Sequence, residues 1–323
     1  MYWVALLSST ALAFLLLILA PKLLRHQGLV DTPNERSSHS QPTLRGAGIL
    51  LALAALGVSG LLGLPWIIAF SLAPFVILGF LDDLFRLPAV SRLAAQFIFA
   101  GILVWLVATN ARIDIGGVVL GGLLIILVVV IVNETNFMDG INGISVGCGL
   151  AMSISFATLL NLAGQESYAV LAVCLAGVCL AFMPWNFRTN ARLFLGDSGS
   201  YLLGIGFAAS VVVLVLAGTS LVIALAPLTL YLFDATSAIL RRVLRRESPF
   251  QAHRGHAYQR LVDDGVRHVS VSLIAGFATV ICGSLAVVTF LGFLPIVILF
   301  VSCAAIGASW ITAPYLREFK SNR

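Results

Sequence analysis

Charged residues are scarce in this chain. They make up 10% of its 323 residues, whereas soluble globular domains carry about a quarter. This scarcity excludes a water-soluble enzyme. Because 60% of the residues are hydrophobic and the mean hydropathy is +1.04, the composition predicts an integral membrane protein.

Cysteine is also sparse, and its placement excludes a disulfide framework. The five cysteines all lie within apolar runs and form no Cys-x-x-Cys pair, so they are predicted to be small buried side chains. The net charge of +5 does not predict a nucleic-acid partner. In so apolar a chain, basic residues more often set topology or contact anionic lipids and phosphates.

Long apolar runs dominate what remains, and polar, Gly or Pro breaks separate eleven of them. Each approaches the length of about 20 residues that spans a bilayer. We therefore predict an all-α, polytopic membrane protein with eleven transmembrane helices, or ten if one neighbouring pair is a single bent segment, in one domain over residues 1–323. The runs are 2–21, 47–63, 66–81, 93–109, 117–132, 144–163, 168–184, 200–217, 221–240, 270–291 and 293–313.

The basic residues are distributed unevenly over the loops. When loops are assigned alternately to two sides, eighteen of the nineteen Lys and Arg residues share one side and only Arg112 lies on the other. Cytoplasmic loops are rich in Lys and Arg, so the N-terminus is predicted outside and the C-terminus in the cytoplasm. Lys22 and Arg25 follow the first run and no basic residue precedes it, which predicts a retained helix and not a signal peptide.

Polar residues gather in five predicted cytoplasmic loops, at about 22–46, 82–92, 133–143, 185–199 and 241–269. In the first loop, Arg45 precedes two glycines at a helix start, where free backbone N–H groups can meet an anion. A basic loop that only sets topology is the alternative there.

Adjacent carboxylates, Asp82 and Asp83, open the second loop at the end of an apolar run. They repel each other, and their burial is costly unless a cation or a shared proton compensates. We therefore predict a divalent metal, with a solvated helix-end pair as the alternative. Asp197 at the start of a later run predicts either a further metal ligand or a simple helix N-cap.

The remaining loops predict a nucleotide-sugar site. Asn133, Asn136 and Asp139 recur every three residues and Asn142 follows, so a helix end would present amides that read a base or sugar edge; an ordinary turn is the alternative. Phe194, in a basic loop, suits a uracil ring. In the fifth loop His253, Arg254 and His256 offer three donors to a pyrophosphate, and a zinc site is the alternative.

Taken in order, the five loops resemble the polyprenyl-phosphate N-acetylhexosamine-1-phosphate transferase family, over residues 31–260. The His-Arg-Gly-His-Ala-Tyr-Gln stretch at 253–259 is similar to the branch that serves O-antigen and related surface glycans. A run of histidines, which this chain lacks, is typical of the muramoyl-pentapeptide branch.

The resemblance implies transfer of an N-acetylhexosamine 1-phosphate from a UDP-sugar to undecaprenyl phosphate, with release of UMP, on the cytoplasmic face of a bacterial inner membrane. It implies Mg²⁺ as cofactor, with Mn²⁺ as an alternative, and membrane lipid as a partner; a homodimer stays open. The implied catalytic residues are Asp82 and Asp83, the metal ligands Asp83 and Asp197, and the substrate-binding residues Arg45, Asn136, Asp139, Asn142, Phe194, His253, Arg254 and His256.

A membrane transporter of anionic solutes is the competing interpretation, because charges within a membrane and broken helices also mark transport sites. Two observations disfavour it. The polar residues gather in loops and not at the middle of the apolar runs, and the sequence shows no convincing internal repeat.

Overall fold

A computed structural model describes residues 1–32, 41–110, 118–247 and 255–321. Over these ranges the chain is almost entirely helical, with one antiparallel pair of two-residue strands, β1 (Val30–Asp31) and β2 (Thr43–Leu44). The helices are α1 (Tyr2–His26), α2 (Gly48–Leu61), α3 (Trp66–Phe85), α4 (Ala89–Asn110), α5 (Val118–Phe137), α6 (Ile144–Leu162), α7 (Glu166–Asn186), α8 (Gly196–Leu216), α9 (Leu221–Leu225), α10 (Thr229–Leu244), α11 (Ala257–Asp263), α12 (His268–Phe290) and α13 (Ile296–Ser321).

The predicted all-α, polytopic class is confirmed. Within the described ranges, ten helical segments are long and apolar enough to cross a membrane. One of them, Leu221–Leu244, joins α9 and α10 through a 3-10 turn that contains Pro227. The remaining predicted run, 47–63, forms the 14-residue α2. Its length of about 21 Å falls short of the ~30 Å hydrocarbon core.

The short α2 still runs from one end of the bundle toward the other. It begins against α8, where a Cβ on Gly48 would lie 2.0 Å from the backbone nitrogen of Gly199. The last part of α3 lies at the same place, where a Cβ on Gly79 would lie 2.4 Å from the carbonyl oxygen of Asp197. Thus α2 leads away from this end and α3 returns to it.

The helices that follow the first, third and fifth predicted loops begin at one end of the bundle, and the N-terminus lies at the other. The hydroxyl of Tyr2 donates a hydrogen bond of 2.7 Å to Asn161, in the last turn of α6. The opposite end of α6 begins just after Asn142, among the polar loops. The first helix therefore runs from the far end of the bundle toward the polar end.

Three predicted loops include residues that belong to helices. The last turn of α3 contains Asp82 and Asp83, the last turn of α5 contains Asn136, and α8 already contains Asp197. The prediction placed each boundary where polar residues first appear. The helices continue past those points because the polar side chains find partners on neighbouring helices, which a local hydropathy pattern does not reveal.

Helix α8 forms the centre of the bundle, because 94% of its most apolar 18-residue stretch is buried. In α1 and α13 the corresponding stretches are 28% and 22% buried. These two helices, and α4 with the same 28% as α1, therefore have the most exposed apolar faces, which would meet lipid in a bilayer. All five cysteines are buried and none forms a disulfide, as predicted from their apolar surroundings.

The contact between α2 and α8 predicts a matched pair of outcomes. Gly48→Ala should lower the melting temperature in detergent, because its Cβ would collide with backbone atoms that cannot move aside, and overpacking typically costs about 1–3 kcal/mol. Gly57→Ala is the control in the same helix, because a Cβ there meets nothing within 4 Å. Equal melting temperatures for the two variants would contradict the close packing of α2 on α8.

Candidate active site

Asp83 is buried against the first turn of α8. Its Oδ1 accepts the N–H of Asp197 at 3.0 Å, and its Oδ2 accepts the N–H and the hydroxyl of Ser198, each at 3.2 Å. The guanidinium of Arg45 lies 3.0 Å from Oδ1, and the Asp83 side chain is 0% exposed. Asp83 therefore satisfies the N-terminus of α8, whose dipole favours a negative charge, and Arg45 neutralises it.

Its neighbour Asp82 faces a different set of partners. Its Oδ1 accepts the N–H of Leu87 at 2.7 Å, and its Oδ2 pairs with the guanidinium of Arg92. The same Arg92 nitrogen lies 3.8 Å from Oδ2 of Asp197. One arginine on α4 thus joins a carboxylate of α3 to a carboxylate of α8.

Asp197 is the most solvent-exposed of the three carboxylates. Its side chain is 30% exposed, against 6% for Asp82. The amide of Asn136 donates to Oδ1 of Asp197 at 3.0 Å and to the hydroxyl of Ser200 at 2.9 Å, which fixes the carboxylate from the α5 side. Asp82 and Asp197 therefore place two carboxylates around one arginine, and the excess negative charge attracts a cation beyond Arg92.

The donor set fits Mg²⁺ when substrate completes the coordination. Among the described residues, no three His, Cys, Asp or Glu side chains are grouped closely enough to hold a metal alone. Mg²⁺ is, however, commonly bound by one or two carboxylates together with substrate phosphates and water. Asp197, the more exposed carboxylate, and Asp82, which shares Arg92 with it, are the pair that would hold it, and the metal would compete with Arg92 for the Asp82 oxygen. Asp83, predicted from the sequence as a ligand, has both oxygens engaged by α8 and Arg45.

The polar residues at the end of α5, which were predicted to share one face, turn toward different neighbours. Asn133 donates to Gln96 of α4 at 2.6 Å, whereas Asn136 turns toward α8. Asp139 accepts the hydroxyl of Ser145 at 2.5 Å. Burial raises the pKa of Asp139 to about 6, although the bond from Ser145 opposes the rise. This carboxyl group therefore changes its charge near neutral pH.

Asn142 connects two of the polar loops. Its amide donates to the carbonyl oxygens of Arg188 at 3.0 Å and Thr189 at 2.9 Å. Asn186 makes the reciprocal link, since it accepts the N–H of Gly143 at 2.8 Å. Asn186 was not among the predicted site residues, and its contacts give it a positioning role between these loops.

A cleft of about 770 Å³ opens between the end of α1, β2, the α7–α8 loop and the start of α12. Phe194 lies on its wall, half-buried, with its backbone N–H bonded to the carbonyl of Leu44 at 2.7 Å. Asn142, the other predicted substrate residue in the cleft, is buried. Residues that line it without having been predicted include Arg25, Thr43, Trp185, Arg192 and His268.

Of the predicted phosphate-binding loop, His253 and Arg254 lie outside the described residues. His256 is buried, with its Nδ1 3.2 Å from Oδ1 of Asp234. The loop also reaches the end of α5, because the hydroxyl of Tyr258 donates to the carbonyl of Phe137 at 2.8 Å. The fifth loop thus meets the third, as a shared site requires.

Arg92 and Asp234 are the site residues that the sequence analysis missed. Asp234 did leave a signal, since it is the one charged residue inside the run 221–240, and an ionisable residue within a membrane segment is a functional candidate by default. Arg92 left none, because its importance arises from Asp197, on a helix distant in the chain.

The sequence is similar to that of known proteins. Residues 65–238, more than half of the chain, match the model of glycosyl transferase family 4. The chain is 31% identical to the decaprenyl-phosphate N-acetylglucosaminephosphotransferase of Mycobacterium tuberculosis, over 76% of this chain and 72% of that relative. It is 29% identical to the probable undecaprenyl-phosphate N-acetylglucosaminyl 1-phosphate transferase of Bacillus subtilis, over 77% and 75%. For the undecaprenyl-phosphate alpha-N-acetylglucosaminyl 1-phosphate transferase of Haemophilus influenzae, the identity is 28% over 95% of each chain.

Proposed function

We propose, from the premise that the chain belongs to glycosyl transferase family 4, that it transfers an N-acetylhexosamine 1-phosphate from a UDP-sugar to undecaprenyl phosphate. The match to this family, together with the names of the relatives, confirms the family resemblance inferred from the five loops. The names of the three relatives support a polyprenyl phosphate acceptor and N-acetylglucosamine as the first sugar to test. The observation that carries the proposal is the Asp82–Arg92–Asp197 arrangement at the polar end of a membrane bundle.

The charges at this site suit a reaction between two phosphates. A lipid phosphate oxygen would form a bond to the sugar-linked phosphorus of the UDP-sugar, and the bond from that phosphorus to the UMP oxygen would break. Both reactants are anions, so their repulsion has to be offset before they approach. Arg92 supplies a fixed positive charge beside the exposed Asp197. A bound Mg²⁺ would add charge neutralisation at the phosphates.

The cleft lined by Phe194 and Asn142 suits the nucleotide. Its wall combines the ring of Phe194 with the amide-bearing segment at Asn142 and with basic and polar side chains. Lipid phosphate would instead approach from the bilayer, along the apolar outer faces of the helices. The two substrates would thereby reach the carboxylates from different directions, as a direct transfer requires.

Stacking on Phe194 predicts a selective kinetic defect. Phe194→Ala should raise the KM for the UDP-sugar by roughly 5- to 100-fold, the range expected for loss of one base–aromatic contact, with a smaller effect on the KM for lipid phosphate. Phe293→Ala, at an exposed position on the α12–α13 connection, is the control. Equal increases in both KM values would assign Phe194 to packing.

The proposed reaction is tested with purified protein, Mg²⁺, undecaprenyl phosphate and a panel of UDP-N-acetylhexosamines. UMP release together with a product of the mass of the lipid pyrophosphoryl sugar supports the transferase. If no donor in the panel yields UMP, the proposal is wrong. Uptake of the nucleotide sugar into liposomes without UMP formation would favour the transporter.

The active site is proposed to face the cytoplasm of a bacterial inner membrane, because the basic residues gather at the polar end of the bundle. A membrane-impermeant thiol reagent added to intact cells should label Gln165→Cys, in the α6–α7 connection, but not Arg246→Cys, just after α10. The native cysteines are all buried and give a low background. Labelling only at position 246 would reverse the orientation.

A further inference from the structure

Asp234 is a carboxylate in the first half of α10, 0% exposed and surrounded by donors. Its Oδ1 accepts the N–H of Ala257 at 2.9 Å and lies 3.2 Å from Nδ1 of His256. Its Oδ2 accepts the N–H of Tyr258 at 3.3 Å and the indole N–H of Trp310 at 2.8 Å. Three N–H groups, those of Ala257, Tyr258 and Trp310, thus donate to this buried carboxyl group, and the His256 ring nitrogen is its fourth polar neighbour.

We propose that Asp234 is a positioning residue for the transfer reaction, one that fixes both the place and the tautomer of the His256 ring. A carboxylate oxygen accepts hydrogen bonds, so the contact with Nδ1 is a hydrogen bond when that nitrogen carries the proton. Nε2 is then the nitrogen left to meet a substrate phosphate, to which it donates when both ring nitrogens carry a proton. The inference rests on the proposed function, in which His256 serves the substrate phosphates.

The loop that contains His256 is fastened to the site on both sides of the ring. Before the ring, the guanidinium of Arg241 donates to the carbonyl of Gly255 at 2.7 Å. After it, Tyr258 stacks on His256 with a centroid distance of 5.5 Å and bonds to the carbonyl of Phe137. Phe137 ends α5, the helix in which Asn136 holds Asp197. The loop that contains His256 is therefore linked, through Tyr258 and α5, to the helix whose Asn136 bonds to Asp197.

Close packing leaves the loop little freedom to take another position. A Cβ on Gly140 would lie 2.2 Å from the Tyr258 hydroxyl, so the loop docks directly on the α5–α6 connection. The backbone bonds from Asp234 to Ala257 and Tyr258 begin α11 at a fixed point. A carboxylate that accepts a ring N–H fixes the tautomer and orientation of metal-ligating histidines in the same way.

The tautomer is measured first, without substrate. Protein labelled with ¹⁵N in the histidine rings is examined in detergent, and the His256 signals are assigned by their loss in His256→Gln. We expect Nδ1 of His256 to carry a proton in the wild type and in Trp310→Phe, the matched control that removes another donor to Asp234. An unprotonated Nδ1 in the wild type would overturn the proposal, even if no Asp234 variant folds.

A double-mutant cycle then separates positioning from mere stabilisation. Asp234→Asn should lower kcat/KM for the UDP-sugar by about 10- to 100-fold, as expected for a lost buried charged partner. If Asp234 acts through the ring, Asp234→Asn combined with His256→Gln should match His256→Gln alone within about twofold. Multiplied losses in the double variant would mean that Asp234 acts independently of His256.

The two levels of the proposal fail differently. A wild-type protein that forms no UMP contradicts the proposed function. An active wild type with multiplied losses in the cycle contradicts only the role of Asp234. Trp310→Phe should lose less kcat/KM than Asp234→Asn, because it leaves the contact between Asp234 and Nδ1 in place; an equal or larger loss would point to packing around α10.

Discussion

Replacement of Asp197 by asparagine should abolish the transfer while the protein still folds and inserts. The amide keeps the size of the side chain, and its oxygen can still accept the hydrogen bond from Asn136. The variant loses the negative charge that would hold Mg²⁺ near the substrate phosphates. Metal ions contribute several kcal/mol of charge stabilisation, so we expect turnover to fall by at least about 100-fold.

Melting temperature and UMP release are measured together for Asp197→Asn, across a range of Mg²⁺ concentrations. The control is Asp264→Asn, which removes the charge of an exposed aspartate beyond α11 and should leave both values near those of the wild type. More than a tenth of wild-type turnover at saturating Mg²⁺ would sink the metal assignment. A large fall in melting temperature would instead make Asp197 a structural residue.

Replacement of Arg92 by glutamine should affect rate and metal affinity in opposite directions. Arg92 pairs with Asp82 and lies 3.8 Å from a carboxylate oxygen of Asp197. Its loss removes the fixed charge that favours two phosphates in one place. Hydrogen bonds to charged groups contribute about 1.5–3 kcal/mol, so kcat/KM should fall roughly 10- to 100-fold. The two carboxylates, left more negative, should bind Mg²⁺ more tightly.

The measurement is UMP release by Arg92→Gln as a function of Mg²⁺, which gives the rate and the half-activating concentration from one titration. Arg86→Gln is the matched control, since Arg86 is an exposed arginine just after α3. A half-activating Mg²⁺ concentration that rises in Arg92→Gln would contradict a site in which the arginine and the metal share the same carboxylates.

The sequence alone determined the class of the protein and predicted the place of its chemistry. Hydropathy is a property of consecutive residues, and a membrane span needs about 20 of them, so the spans could be counted from the chain. The polar residues that interrupt or end the runs were equally visible. Asp82, Asn136, Asp139 and Asp197 could therefore be selected as site residues before their neighbours were known, and the family resemblance followed from their order.

Only the tertiary structure decided how those residues divide their work. Asp82 and Asp83 are adjacent in the chain, yet the helix turns Asp83 into the N-terminus of α8 and Asp82 toward Arg92. Asp234 stood out as a charge in an apolar run, but its partner His256 was not predictable from either position. Burial, pairing and hydrogen bonding depend on residues that meet across helices, and the helix ends ran past the predicted boundaries because of those same contacts.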